Sequence, residues 1–379
     1  MTLAEKLLAR NIGKDKVKPG EFVTVYPDYI LSHDNSAAII NHFKKIGKTK
    51  VWDSDKIVIV LDHTVPASTE KYAANHQKIR EFVYTQGISH FYDVNRGICH
   101  QVFVEEGLAR PGLLVLGSDS HTTTYGAFGV FSAGIGRTEA AAIWATGELW
   151  LRVPESYRIE LKGRFPSKWV TSKDLALKIV GELRADGAIY KALEFVGPLS
   201  EEMDVADRMV LSNLSAEMGA KAGVFYPNQK VKKYLQDRGI EEVEMFTPEA
   251  DAEYEKSFTF DVSGLEPMIA KPHTVDNVTP LDKVRGIKID QVFIGTCTNG
   301  RLKDLELAAK VLKNKKVAKG IRLLVFPASN EIYLEALRAD LIGTMIRAGG
   351  VVMNPGLSLI HISEPTRPLY ISYAVFCLK

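Results

Sequence analysis

Short apolar runs that stop abruptly in polar clusters dominate the hydrophobic pattern of the chain. Ile57-Val58-Ile59-Val60-Leu61, Gly112-Leu113-Leu114-Val115-Leu116 and Val292-Phe293-Ile294 are short and rich in β-branched residues, so they predict buried strands. Weaker strand patterns cover 21–25, 88–91, 157–161 and 323–326, and Gly349-Gly350-Val351-Val352-Met353 closes the series. Helical spacing is seen over 1–10, 68–86, 102–107, 172–184, 302–312 and 330–339, and a further helix is expected from about residue 33. The stretch 213–223 reads as a short helix with glycine stops, whereas 229–290 is polar and reads as a long irregular surface connection. Strand and helix alternating in this way predict an α/β protein with parallel sheets.

The polar stops carry the candidate chemistry. They read Asp62-His63-Thr64-Val65-Pro66, Gly97-Ile98-Cys99-His100-Gln101, Gly117-Ser118-Asp119-Ser120-His121-Thr122 and Gly295-Thr296-Cys297-Thr298-Asn299-Gly300-Arg301. Each alone is weak. An Asp–His dipeptide is more often a cap and a surface imidazole than an acid/base pair, and Cys99 beside isoleucine reads as core. Cys297, in a glycine-flanked turn, is open to three readings: nucleophile, metal ligand or small buried side chain. Three strand ends carrying reactive groups nevertheless predict one composite site at the C-terminal edge of parallel sheets. In such a site a carboxylate fixes the tautomer of its histidine and raises its pKa. Glu194 lies inside the apolar run Leu193-Glu194-Phe195, and a buried carboxylate needs a partner, which a histidine of this site would supply. Gly134-Ile135-Gly136 lacks the third glycine of a nucleotide fingerprint and reads instead as small-residue packing.

Composition narrows the function classes. A length of 379 residues predicts two or three domains. With 48 Lys and Arg against 46 Asp and Glu, no net field draws nucleic acid or an anionic membrane to the chain. No apolar run reaches membrane-spanning length, and the first residues lack the features of a secretory signal. Three cysteines, at 99, 297 and 377, make no disulfide framework and suit a reducing cytoplasm.

The four motifs stand in the order seen in the aconitase superfamily, and the chain most resembles the large subunits of its two-subunit branch, the isopropylmalate dehydratases and prokaryotic homoaconitases. The resemblance runs from residue 1 to about 356. It implies three α/β/α subdomains, expected at 1–130, 131–284 (with the connection) and 285–356, around a [4Fe–4S] cluster held by three cysteines. Cys297 would be the first metal ligand. Catalytic roles fall on Asp62 and His63 as the pair that protonates the departing hydroxyl, on His100 with Asp119, and on His121 with Glu194. His33 and Ser120 take substrate-contacting positions. The implied reaction isomerises 2- and 3-isopropylmalate by dehydration and rehydration in leucine biosynthesis. Homocitrate, citraconate and dimethylmalate chemistry are the alternatives within the family. The implied partner is a small subunit carrying the swivelling domain and a serine base; the substrate is a small hydroxy-dicarboxylic or tricarboxylic acid.

The resemblance breaks after Gly356. Where relatives continue with Cys-Gly-Pro-Cys, which supplies the other two cluster ligands, this chain reads Leu357-Ser358-Leu359. A non-homologous tail is therefore expected over 357–379, a truncated third subdomain before it, and no activity from the chain as it stands. Two readings from other classes remain open at this level: a cluster-free binding protein, and a metal hydrolase built on Asp62, His63, His100, Asp119 and His121.

Overall fold

The structure, a computed structural model, describes residues 1–357. The expected tail, with Cys377, lies from residue 358 onward outside the described residues. Three parallel sheets follow one another along the chain. The first has five strands, in spatial order His90–Tyr92, Ile57–Val60, Tyr29–Ser32, Leu114–Gly117 and Phe131–Gly134. Tyr29–Ser32 is central: Leu31 is flanked by Val58 on one side and Gly117 on the other. The chain first builds outward to one side of this strand and then to the other. The resulting switch point between Tyr29–Ser32 and Leu114–Gly117 opens a crevice at the carboxyl ends of the strands.

Both faces of this sheet are covered, so Ile57–Val60 and Leu114–Gly117 are buried at every position. On one face, helices Ser36–Ile46, Glu70–Gln86 and Arg137–Thr146 bring Phe43, Phe82 and Trp144 together, with the Phe82 and Trp144 rings stacked at 5.4 Å. On the other lie helix Cys99–Glu105 and the 3-10 segment Ser120–Phe128. The first sheet continues beyond residue 130. Phe131–Gly134 pairs with Leu114–Gly117, and Leu149–Arg152 returns to pair antiparallel with Phe22–Val25.

The second sheet orders Ala222–Phe225, Ala192–Val196, Ser156–Lys162 and Lys256–Asp261. Its last strand lies inside the stretch expected to be irregular. An edge strand needs only one apolar face, and here Phe258 and Phe260 alone turn inward between polar neighbours, a pattern too short to stand out. The same stretch holds helix Gln229–Gln236, capped by the Asn228 side chain, and the ribbon formed by Met268–Ala270 and Val278–Pro280. The third sheet is Gln291–Ile294, Arg322–Val325 and Val351–Val352, backed by helices Leu302–Leu312, Asn330–Arg338 and Leu341–Arg347.

The first two units meet where Ser120–Phe128 packs on helix Val205–Leu214 and on Ala222–Phe225. Gly126 makes that approach possible: a Cβ there would lie 1.9 Å from the Gly223 carbonyl oxygen. Gly134 likewise serves close packing: a Cβ there would lie 2.9 Å from the Asp119 carbonyl oxygen.

Candidate active site

Three strands of the first sheet end side by side, and the chain leaves each in a polar loop. After Tyr29–Ser32 come His33 and Asp34. Asp34 was not singled out from the sequence, yet its buried carboxylate organises the neighbouring loop. Oδ2 accepts the Asp62 and His63 N–H groups at 2.9 and 2.7 Å; Oδ1 accepts Thr64 N–H at 3.3 Å, the Thr64 hydroxyl, and His76 Nε2 at 2.6 Å. Burial alone would raise the Asp34 pKa, but these donors hold it far below the usual carboxylate range. The turn that presents Asp62 and His63 is therefore wrapped around an anion.

Asp62 is fully buried. One oxygen receives His63 Nδ1 at 2.6 Å, and the other accepts the Cys99 N–H at 2.7 Å, at the first turn of helix Cys99–Glu105. Burial opposes charge on His63, but the Asp62 and Asp119 carboxylates outweigh it and hold the imidazole pKa well above 6.5. His33 lies against it, the two rings stacked at 3.7 Å. Burial and the His63 charge push His33 down to about 4, so a neutral ring faces an imidazolium. His33 Nδ1 is buried without a partner.

Asp119, at the end of Leu114–Gly117, is approached by four imidazoles. His100 Nε2 lies 2.9 Å away, His63 Nε2 3.5 Å, His121 Nδ1 3.6 Å and His33 Nε2 4.0 Å. Despite its burial, these cationic and donor partners keep it ionised well below the ordinary range. The second nitrogen of His100 lies 3.1 Å from the Tyr125 hydroxyl. The Ser120 hydroxyl lies 3.4 Å from His121 Nδ1 at the rim of the site.

The partner of His121 differs from expectation. Its Nε2 lies 3.0 Å from Glu217 Oε1, not near Glu194. Burial works against the charged ring, but Cys297, Asp119 and Glu217 together raise the His121 pKa well above 6.5. Glu194 is buried in the middle of Ala192–Val196 and is committed elsewhere. It accepts the Ala4 N–H at 2.8 Å and the Tyr254 and Tyr226 hydroxyls at 2.9 and 3.2 Å. It sits at the first turn of the N-terminal helix Leu3–Asn11, whose cap is Thr2, and burial raises its pKa against those donors. A glutamate in an apolar run signals burial, not a destination. Glu217 carried a usable signal: it follows the buried Asn213 at helical spacing in the stretch already singled out, and Asn213 in turn bonds Thr124 at 2.8 Å.

Cys297 enters from the third unit on a single helical turn, Thr296–Asn299, after strand Gln291–Ile294. Gly295 has φ 149°, and a Cβ there would meet the Phe326 carbonyl oxygen at 2.6 Å. Thr296 adopts φ 76°, an uncommon conformation for a branched residue, held by its hydroxyl contact with Thr298 at 2.8 Å. Cys297 is buried, with 6 % of the residue exposed. Cys99 is fully buried in the core of the first unit, and burial together with Asp62 pushes its thiol well above the ordinary range. The arrangement can bind an anionic substrate and deliver or accept protons at imidazoles held charged near neutral pH.

His33, Asp34, Asp62 and His63 place ligand atoms within 4.8 Å of one another, a spacing a cation would tolerate. The oxygens of Asp34 and Asp62 are already occupied by N–H and hydroxyl donors, so these groups organise a loop. Among the described residues, no helix is long and apolar enough to cross a membrane.

The sequence matches the profile of the aconitase family (aconitate hydratase) over residues 5–359. It is 48% identical over 356 residues to a probable 3-isopropylmalate dehydratase large subunit of Methanothermobacter thermautotrophicus, covering 94% of this chain and 85% of that protein. It is 47% identical over 355 residues to 3-isopropylmalate dehydratase large subunit 1 of Methanopyrus kandleri, with 93% and 84% covered. A probable methanogen homoaconitase large subunit of M. thermautotrophicus is 45% identical over 361 residues, with 94% and 84% covered. With a profile match across nearly the whole described chain and relatives at this identity, the chain belongs to the aconitase family.

Proposed function

We propose that the chain is the large subunit of a hydro-lyase that interconverts 2- and 3-isopropylmalate in leucine biosynthesis, working with a separate small subunit that brings the swivelling domain. The observation that carries this reading is the geometry of His63, an imidazole with Nδ1 2.6 Å from buried Asp62 and Nε2 3.5 Å from Asp119. Loss of water from an unactivated alcohol requires a proton on the departing hydroxyl. With Nδ1–H directed at Asp62, His63 presents Nε2–H to the crevice and can pass that proton to the oxygen as the C–O bond breaks. In rehydration the same nitrogen takes a proton from water. His100, buried with its ring nitrogens on Asp119 and the Tyr125 hydroxyl, orients that carboxylate; His121, held by Glu217 through Nε2, can turn Nδ1 to a substrate oxygen, and His33 and Ser120 line the approach. The base that removes the C–H proton is assigned to the small subunit. The likeness to a homoaconitase large subunit supports homoaconitate as the second substrate reading.

The family implies a [4Fe–4S] cluster bound by three cysteines. The described residues hold two thiols, Cys99 and Cys297. Cys99 is packed in a core, and Cys297 alone does not make a three-thiolate set. The described residues therefore do not fit the complete group.

The experiment is a graft. Residues 1–356 followed by the remaining C-terminal segment of the M. thermautotrophicus dehydratase relative, reconstituted anaerobically with iron, sulfide and that organism's small subunit, are expected to hydrate isopropylmaleate. The ungrafted chain is expected to be inactive, and His63→Gln in the graft to lose about 10²–10⁴-fold in kcat. An active graft unaffected by His63→Gln would sink the assignment of the acid. A folded, cluster-loaded graft inactive on isopropylmaleate and homoaconitate would sink the function.

A further inference from the structure

Two residues inside the site motifs have no part in the chemistry above: Gln101, directly after His100, and Arg301, which closes the Cys297 turn. The structure joins them. The Arg301 side chain is buried, and every guanidinium nitrogen has an acceptor: Nη2 donates to the Cys297 carbonyl at 2.8 Å, Nη1 to the Thr298 carbonyl at 2.7 Å, and Nε to Gln101 Oε1 at 3.1 Å. These carbonyls end a one-turn helix and have no intrahelical partners, so the planar fork satisfies groups that would otherwise be orphaned in a buried place.

The chain of contacts continues. Gln101 Nε2 donates to Glu105 Oε1 at 3.0 Å, and Glu105 is held in turn by Ser329 Oγ and by Arg96 Nη1 at 2.9 Å. A backbone seam runs alongside: Ala328 N–H donates to the Gly300 carbonyl and Ile98 N–H to the Ala328 carbonyl, both at 2.8 Å. The thiol-bearing turn of the third unit is thereby registered against helix Cys99–Glu105 of the first, the helix that carries His100 and whose first N–H binds Asp62.

We propose that Arg301, through Gln101, is a positioning residue that sets Cys297 against the histidine–carboxylate half of the site. Arg301 touches no substrate. Its donors fix the peptide group that follows Cys297 and the next one in the turn, and Gln101 fixes Arg301 to the acid/base half. The significance of that registration rests on the hydro-lyase reading, but the test needs neither substrate nor cluster.

The test is site-resolved alkylation of the full chain with iodoacetamide under reducing, anaerobic conditions, with the Cys297 and Cys99 peptides quantified separately by mass spectrometry. In Arg301→Met, which keeps bulk but loses the donors, Cys297 labelling is expected to rise about tenfold or more as the turn opens locally. Arg301→Lys, with one donor site in place of a fork, is expected to fall between wild type and Arg301→Met. Gln101→Leu leaves the carbonyl contacts and is expected to raise labelling about threefold; it carries the test if Arg301→Met does not fold. Cys99 is the internal control and is expected to label as in wild type. Cys297 labelling within twofold of wild type in Gln101→Leu and any folded Arg301→Met, equal labelling of Arg301→Lys and Arg301→Met, or a parallel rise at Cys99 would each overturn the proposal.

Discussion

The two halves of the site are stabilised differently. The histidine–carboxylate half stands on one sheet: its loops leave strands buried at every position but Tyr29, and Asp34 and Asp119 draw donors from residues of the same unit, while His121 is held in addition by Glu217 of the second. The Cys297 half leaves a strand that is only partly buried except at Ile294. Its turn also draws on the other units: Lys173 of the second donates to the Thr298 hydroxyl at 3.3 Å, and the turn's own Arg301 is braced on Gln101 of the first. The first half is organised by its own fold; the second takes its geometry from its neighbours.

Substitutions that remove a central charge separate the halves most strongly. Asp34→Ala leaves five donor groups around a vacated carboxylate and is expected to cost about 3–5 kcal/mol, measured as a shift in the urea midpoint. Cys297→Ala removes a small buried side chain and is expected to cost only about 1 kcal/mol. Equal costs would mean that the thiol half is as rigidly built as the other.

Asp119→Asn keeps shape and removes charge. His63 and His121 lose one of the carboxylates that hold them charged and are then expected to titrate at lower pH, read by nuclear magnetic resonance. The stability profile gives the sign independently. The raised His63 pKa contributes stability that is fully present below 6.5 and lost as pH rises through the folded value. The lowered Asp119 pKa contributes stability present above 3.8 and lost as pH falls through the folded value. Between those values His33 works the other way: with its pKa pushed down to about 4 it costs stability as pH falls below 6.5, so melting temperature is expected to drop on acidification as well as at alkaline pH, and the alkaline decline is expected to flatten in Asp119→Asn.

The smallest expected effects separate the two glutamates. Glu217→Gln is expected to lower the His121 titration at a cost of about 1 kcal/mol or less in stability. Glu194→Gln is expected to leave His121 unchanged and instead to increase amide exchange in the N-terminal helix.

Much of the first half was legible in the sequence because its strands are covered on both faces. Continuous runs such as Ile57 to Leu61 announce themselves, and each ends where the chemistry begins. The parallel α/β architecture and the convergence of Asp62, His63, His100, Asp119 and His121 followed from that pattern together with the family resemblance. Less legible were features set by contacts distant in sequence. Glu194 and Glu217 are both acidic residues in apolar surroundings, and only the packing of the second unit decides which meets His121. Asp34 acts through three backbone N–H groups, which leave no trace in residue identity. The strand Lys256–Asp261 was missed because an edge strand shows half the apolar signal of a central one.

The account turns on His63 being a charged acid held between Asp62 and Asp119. The most direct measurement is the protonation state of its two ring nitrogens, followed by ¹⁵N chemical shift as pH is raised. Both nitrogens are expected to remain protonated where an ordinary histidine has already lost its proton, with Asp119→Asn bringing the midpoint down. A His63 that titrates at its ordinary pKa in the folded protein, unchanged by Asp119→Asn, would contradict it.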